Sequence, residues 1–428
     1  MKYGIYFCIY YMSIKYYDII IIGSGISGLY SALNIQKFSP NTSFLVLEKY
    51  KKQWIGGRTN NETFHGVSIV TGAGVGRKNK DHLLIKLMNT IGLGYSEYKS
   101  TINYSQFTHL DIIEIVNKLK ILYREHPELH GKTFKQFFIQ TLGEQLYKKF
   151  IMSVGYTDYE NADVYETLYN YGMDDDKGGW TGLHISWKKL VDTLYHKIGS
   201  EHFKFSSGVV SVNKIKDSPC LFEIKTENNK IYHSNKVIVA TTISGIKTLV
   251  AGASNKNSIY QQIHGQPFLR LYAKFNKESS EIMKKYVTTY TIVPGPLQKI
   301  IPMDPDKGVY MIAYSDNNNA LLLKNYLKNT PRNRDLYCEL IEKSLGIPNG
   351  SLHILDIKDY YWPIGTHYYE PLKREEFQNR EDFLYKVQHP EKGMLVVGEA
   401  VSIHQGWVQG ALESVNAVLD KKWVKTVC

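Results

Sequence analysis

The sequence predicts an α/β fold: a parallel sheet crossed by helices, assembled from separated stretches of chain, with an α+β domain inserted between them. Three observations predict it. Residues 18–28 read DIIIIGSGISG, an apolar run that passes through a glycine-rich turn into a helix. A GGR tripeptide stands at 56–58, and GEAVSIHQGWVQGALES closes the chain from residue 398. A short continuous apolar run such as 18–22 suits a strand buried on both faces of a parallel sheet.

Gly23-Ser24-Gly25-Ile26-Ser27-Gly28 fits G-x-G-x-x-G. In that pattern the first glycine permits a tight turn. The second lets backbone approach a pyrophosphate, and the third lets the helix pack close to the strand. The helix expected from Ser27 to Phe38 would aim its amide-rich N-terminus at the phosphates. SFLVL at 43–47 reads as the second strand, ending in Glu48, about twenty residues past the last glycine, where an acid accepts hydrogen bonds from a ribose. The pattern predicts a Rossmann-like dinucleotide site.

KKQWIGGRTNN follows. A GGR just past the ribose acid resembles the flavin-containing amine oxidase superfamily, which includes monoamine and polyamine oxidases. The resemblance implies FAD: the loop wraps its pyrophosphate, with Gly56 and Gly57 giving close approach and Arg58 contacting the cofactor. Further along, SIVTGAGVGR (68–77) has Thr71 where the family commonly has an acid. KGGWTGLHISWKKLVDTL (177–194) is similar to the family's Gly-Gly turn before an amphipathic helix. Val209 and Val210 lie in a strand that in the family touches the adenine end. KVIVATT (236–242) resembles the strand that returns to the nucleotide domain.

The closing stretch carries the most specific match. Met394–Val397 reads as a strand, followed by Gly398-Glu399, which in the family lies by the FAD ribityl and phosphate. A helix beginning near Gly410 would aim its N-terminus at the flavin, with Gly406 and Val408 beside the cofactor. Trp407 stands at the family's substrate-facing aromatic. The second aromatic wall is then His367 or Tyr368, from DYYWPIGTHYYEP (359–371), since π faces attract an ammonium. Many relatives carry a lysine that holds a water near flavin N5. Here Arg270 stands at that place, with Lys274 further along the same side, and an arginine does not act as a base. No cysteine lies near Thr366, so the FAD is expected to be non-covalent.

The implied reaction is oxidation of an amine to an imine by hydride transfer to the flavin, with molecular oxygen as acceptor and hydrogen peroxide as product. Two other readings remain open. One is a desaturase or protoporphyrinogen-oxidase-like enzyme. The other is a flavoprotein without turnover that serves a structural or binding role.

The motif positions divide the chain. The FAD-binding domain takes 16–78, 200–250 and 385–424, and the substrate domain takes 79–199 and 251–384. Residues 1–11 read as an N-terminal extension. DHLLIKLMNTIG, LDIIEIVNKLKILYREH and FKQFFIQTLGEQLYKKFIM space apolar residues by three and four, so 79–170 is expected to be mostly helical. Residues 258–384 alternate more and hold turns at Pro294-Gly295 and Pro348-Asn349-Gly350, which predicts a sheet backed by helices.

Composition sets outer bounds. The 428 residues carry a net charge of +11, but dispersed, with no dense basic run, so no specific nucleic acid is expected. The four cysteines are scattered, which suits a reducing compartment. The abundance of Tyr, Ile, Lys and Asn is typical of AT-rich genomes such as those of large DNA viruses or protists. A cytoplasmic location is expected, in viral or host cytoplasm if the source is a large DNA virus. The apolar stretch 3–14 is too short to span a bilayer, and no membrane anchor is expected. No metal-ligand spacing occurs. MDDDKGG (173–179) is an acidic run suited to drawing a polycationic amine, or to a solvated turn.

Overall fold

The structure, a computed structural model, describes residues 15–105, 107–215 and 221–426. The 1–11 extension, Cys8, Cys220 and Cys428 lie outside the described residues.

A seven-stranded sheet organises the first core. Lys15–Ile22 lies at its centre, parallel to Phe44–Leu47 on one side and to Ile231–Val239 on the other. Phe44–Leu47 continues to the short Phe203–Lys204 strand. The far edge of Ile231–Val239 serves two neighbours. Its first half pairs antiparallel with Phe222–Thr226, and its last three residues pair parallel with Met394–Val396. Val209–Lys214 closes that edge. The sheet therefore draws on three separated parts of the chain, as the motif positions require.

The apolar run at 19–22 has a direct cause. Ile19 and Ile21 enter one core cluster, and Ile20 and Ile22 enter the cluster on the opposite face. A strand covered on both sides has no face for polar residues. Helices Ile26–Phe38, His82–Ile91, Trp187–Ile198 and Val408–Val418 cover the first face, while Ile243–Leu249 and Arg380–Gln388 cover the second. Two of these helices, His82–Ile91 and Trp187–Ile198, fall in the stretch 79–199 that sequence places in the inserted domain. Their apolar faces (Leu84, Leu87 and Met88; Trp187, Leu190 and Leu194) pack instead with Ile26 and Leu29.

The second sheet runs in the order Ile354–Tyr369, Ile263–Phe275, Val309–Asp316, Lys299–Asp304, Tyr290–Ile292 and Ile102–Tyr104. Alternation on Ile263–Phe275 decides what reaches the site. Leu269, Leu271 and Ala273 face a core shared with helix Pro331–Leu345. Tyr272 faces the other way, packing against Phe64, Val67 and Ile69 of the hairpin that follows the GGR segment. Arg270 shares the parity of Tyr272.

Helices Ile112–Glu125, Phe134–Leu142, Glu144–Val154 and Val164–Tyr169 form a bundle around Phe134, Phe137, Phe138 and Phe150. The expected long helix over FKQFFIQTLGEQLYKKFIM is in fact two, Phe134–Leu142 and Glu144–Val154. Gly143 takes φ 86° and ψ 155°, outside the right-handed helical region, and so ends one helix and starts the next.

Candidate active site

At one end of the site, the glycine turn is built for close packing on one side and openness on the other. A Cβ at Gly28 would lie 2.0 Å from the Gly23 carbonyl oxygen, and one at Gly23 would lie 2.4 Å from that of Ala240. A Cβ at Gly25 would meet nothing within 4 Å. Helix Ile26–Phe38, with Gly25 at its N-cap, has no side-chain cap. Its first-turn amides therefore remain available to an anion. Ile26 and Ser27 open this helix and are themselves buried.

Glu48 follows the second strand and is buried. Its Oε2 accepts from the Ser24 amide (2.8 Å) and hydroxyl (2.7 Å), and its Oε1 accepts from the Tyr50 amide (2.8 Å). The carboxylate thus ties the turn to the strand end and keeps lone pairs for further donors. The GGR segment docks on the same turn, with the Gly56 amide donating to the Ser24 carbonyl at 2.9 Å. Gly57 is open like Gly25, with φ 56° and nothing within 4 Å of a Cβ. Val210 sits at a bulge between Val209 and Ser211, its side chain exposed, on the strand that follows Ser207, whose amide donates to the Glu48 carbonyl at 2.8 Å.

Glu399 is the hub of the site. Its Oε1 accepts from Arg58 Nη1 at 2.7 Å and from His367 Nδ1 at 2.5 Å, and its Oε2 accepts from the Gly406 amide at 3.0 Å. Arg58 Nη1 also donates to the Gly365 carbonyl at 2.6 Å. Burial alone would raise the Glu399 carboxyl's pKa. His367 and Arg58 outweigh that and hold it well below the usual carboxylate range. Gly398, just before it, has φ 128°, and a Cβ there would lie 3.7 Å from Ser27 Oγ. The Gly-Glu pair therefore sits over the first turn of the opening helix.

Four residues expected at the substrate face are distributed differently. His367 points into the interior. It is buried, and its Nε2 accepts from the Ile243 amide at 3.1 Å while Nδ1 donates to Glu399. Strand alternation turns it inward. Thr366 and Tyr368 then share the opposite face of Ile354–Tyr369. Thr366 lies 3.5 Å from a Cβ placed at Gly406, and Tyr368 stacks on His264. Trp407 is half-buried as N-cap of Val408–Val418, which starts at Val408, two residues ahead of the expected Gly410. Gly410 is needed for packing, since a Cβ there would fall 1.9 Å from the His404 carbonyl oxygen. One face of the Trp407 indole is covered by the Arg77 guanidinium, 3.5 Å from the ring centroid. Arg270 is buried, stacked 4.0 Å from the Tyr314 ring, with Nη2 3.1 Å from a Cβ placed at Gly74. Lys274 lies further along, its Nζ donating to the Lys307 carbonyl.

Arg77, held by Asp81 and Asp175, was not singled out from sequence. The only sequence signal was its place at the end of SIVTGAGVGR. Thr366 stands out in the sequence only as the place of a missing cysteine. Thr71, where an acid is common, is a buried threonine whose carbonyl accepts from Trp362 Nε1 at 2.7 Å. Asp175 of the acidic run pairs with Arg77 and Lys80. A surface concavity of about 340 Å³ beside Val250 and Ile259 is lined by none of these residues.

No known family model matches the chain. A probable malate:quinone oxidoreductase of Campylobacter jejuni is 22% identical over 240 residues, which is 53% of this chain and 50% of that protein, so the match spans about half its length. An uncharacterised protein of Acanthamoeba polyphaga mimivirus is 19% identical across 94% of this chain and 93% of its own. Among solved structures, putrescine oxidase bound to putrescine superposes with a TM-score of 0.69, at 13% identity, covering 94% of this chain and 97% of that one. Cyclohexylamine oxidase from Brevibacterium oxydans gives 0.70 at 15% identity, covering 95% and 98%. The chain has the fold of these amine oxidases across nearly its whole length.

Proposed function

We propose that the protein is an FAD-dependent oxidoreductase that oxidises an amine to an imine. The observation that carries this reading is the convergence of the Gly25 turn, Gly57-Arg58 and Gly398-Glu399 on helices Ile26–Phe38 and Val408–Val418, neither of which has a side-chain cap. The residues present fit the dinucleotide. Gly25 and Gly57 leave room for its pyrophosphate, Glu48 keeps acceptor capacity with which it would take the ribose, and Val210 would lie toward the adenine. Likeness in fold to a putrescine oxidase and a cyclohexylamine oxidase supports an amine.

Bound there, FAD supplies a two-electron acceptor for the hydride of the substrate C–H beside nitrogen, with molecular oxygen taking the electrons on to hydrogen peroxide. The chain's own groups bind and orient. Arg58 neutralises phosphate charge while Glu399 holds its guanidinium in place. Trp407, braced from one side by Arg77, presents its remaining surface at the N-terminus of Val408–Val418. Phe268 and Tyr314 pack at 6.0 Å and help keep this face of the sheet dry. Attachment of the cofactor is non-covalent on this reading, because both ring nitrogens of His367 are already engaged and residue 366 is a threonine.

The division into domains is proposed with one amendment. Helices His82–Ile91 and Trp187–Ile198 join the FAD-binding unit made of 16–78, 200–250 and 385–424. Among the described residues no helix is long and apolar enough to cross a membrane.

The visible spectrum of the purified protein tests the reading. A yellow protein that bleaches without oxygen on addition of a mono-, di- or polyamine or an amino acid supports it. A colourless protein that cannot take up added FAD refutes it.

A further inference from the structure

Arginines 77, 270 and 380 are the buried arginines among the described residues. Two of them have carboxylate partners. Arg77 meets Asp81 at 2.7 Å and Asp175 at 3.0 Å, and Arg380 meets Asp163 at 3.2 Å and Glu166 at 3.0 Å. Arg270 pairs with no carboxylate among the described residues. Its polar neighbours are uncharged: the Tyr314 ring at 4.0 Å, the Met311 sulfur 3.7 Å from Nη1, and the hydroxyl of Tyr272. A guanidinium keeps its charge at any ordinary pH and carries five donors, so burying it without an anion is costly. A purely structural arginine in this chain would be expected to have its carboxylate, as the other two do.

The position of Arg270 says what the missing anion is for. Arg270 lies on the sheet face that looks onto segment 70–74, its Nη2 against the Gly74 backbone, where any Cβ would crowd it. Gly72, two residues earlier, packs on the Arg58 carbonyl. Two residues along the strand, Phe268 packs on Gly365, whose carbonyl binds Arg58. Arg270 thus borders the same site as Arg58, Thr366 and Trp407. Of the two candidates for the second wall of an ammonium cage, His367 is turned inward, and Arg77 occupies one face of Trp407.

We propose that Arg270 binds a carboxylate of the substrate, so that the amine oxidised is an amino acid rather than a plain mono- or polyamine. The proposal rests on the flavin-oxidase reading above. A planar guanidinium matches a carboxylate with two parallel hydrogen bonds, which also fixes the substrate's orientation. The substrate then loses two electrons and two protons across its C–N bond, the electrons passing to FAD. Water converts the resulting imino acid to a 2-oxo acid and ammonium.

The test uses the FAD-loaded protein and pairs that differ only in the carboxylate: phenylalanine with phenylethylamine, ornithine with putrescine, alanine with ethylamine. Binding of benzoate, followed by the flavin spectrum and by calorimetry, serves as a probe that needs no turnover. The expected result is flavin bleaching by an amino acid at least tenfold more efficiently than by its paired amine. Arg270→Gln should weaken benzoate at least tenfold, and Arg270→Lys should recover part of that, with FAD retained in both. Equal or better bleaching by the plain amines overturns the proposal and leaves the oxidase reading standing. Benzoate affinity unchanged in Arg270→Gln, or no benzoate binding to the parent protein, also overturns it. A protein that takes up no FAD sinks the oxidase reading itself, and calorimetry with benzoate still reports on Arg270.

Discussion

Arg58 and Glu399 lie 341 positions apart and meet at 2.7 Å, with His367 and the Gly406 amide on the same carboxylate. One buried acid thus joins the GGR loop, a strand of the second sheet and the loop before the last helix. Glu399→Ala would leave Arg58, His367 and Gly406 without their acceptor. Breaking a buried charged network of this kind costs about 3–5 kcal/mol. Urea unfolding should show that loss, and FAD should dissociate more readily. Glu399→Gln, which keeps acceptor capacity, should lose less. A Glu399→Ala protein as stable as its parent would dismiss the hub.

The second and third glycines of the turn separate fold from cofactor. Gly28→Ala forces a methyl to within 2.0 Å of the Gly23 carbonyl and should yield little folded protein. Gly25 has φ −65°, which any residue adopts, and open space around it. Gly25→Ala should therefore unfold at the parent's denaturant midpoint or slightly above it, since alanine lowers unfolded-chain entropy by about 0.4–1 kcal/mol. Its FAD affinity should nevertheless fall, because the methyl enters the space the pyrophosphate needs. Tight FAD binding by Gly25→Ala would mean that the phosphates lie elsewhere.

How far the site could be read from sequence follows from which interactions are local. The 23–28 turn, Glu48 and the Gly398-Glu399 step are set by chain neighbours, so their residue types carry the message. His367 could not be placed, because the direction of a side chain in a long strand depends on register, and a one-residue shift reverses it. Arg77 on Trp407 brings together two segments with no shared pattern. Helices His82–Ile91 and Trp187–Ile198 were recognisable as amphipathic, but the pattern does not say which sheet they cover.

His367 and Trp407 should behave as opposites. His367→Ala leaves the Ile243 amide without its acceptor and removes one of the three donors to Glu399, at roughly 1–3 kcal/mol for the buried amide left unsatisfied. Thermal melts should show this as lost stability, with the KM for any substrate of the remaining folded protein little changed. Trp407→Ala should keep FAD and most stability while turnover drops. A His367→Ala protein with parental stability and a raised KM would restore it to the substrate wall.

Arg77→Leu should be more damaging than most surface changes. It leaves Asp81 and Asp175 without their guanidinium inside the protein and uncovers one face of Trp407. A loss of about 3–5 kcal/mol is expected, together with a shift in tryptophan fluorescence. An unchanged emission spectrum would show that the stacking does not persist in solution.

Two carboxylates should give the stability–pH curve opposing slopes. The Glu399 pKa is depressed on folding, so its contribution is present above the ordinary glutamate value of about 4.3 and is lost as pH falls below it. Asp158 behaves in the reverse sense. Burial, and then the neighbouring Asp316, push its pKa up, although Tyr171 donates to it at 2.6 Å and Lys299 opposes the shift. Folding therefore favours its protonated form. That contribution is complete below the ordinary aspartate value of about 3.9 and fades as pH rises through the elevated folded value. Asp158→Asn keeps an acceptor for Tyr171 and removes the titration. Unfolding in urea at pH 5 and pH 8 should show the variant gaining on the parent as pH rises, because only the parent must then ionise a buried acid. A difference that stays constant between the two pH values would mean that Asp158 is ionised throughout, its charge balanced by Lys299.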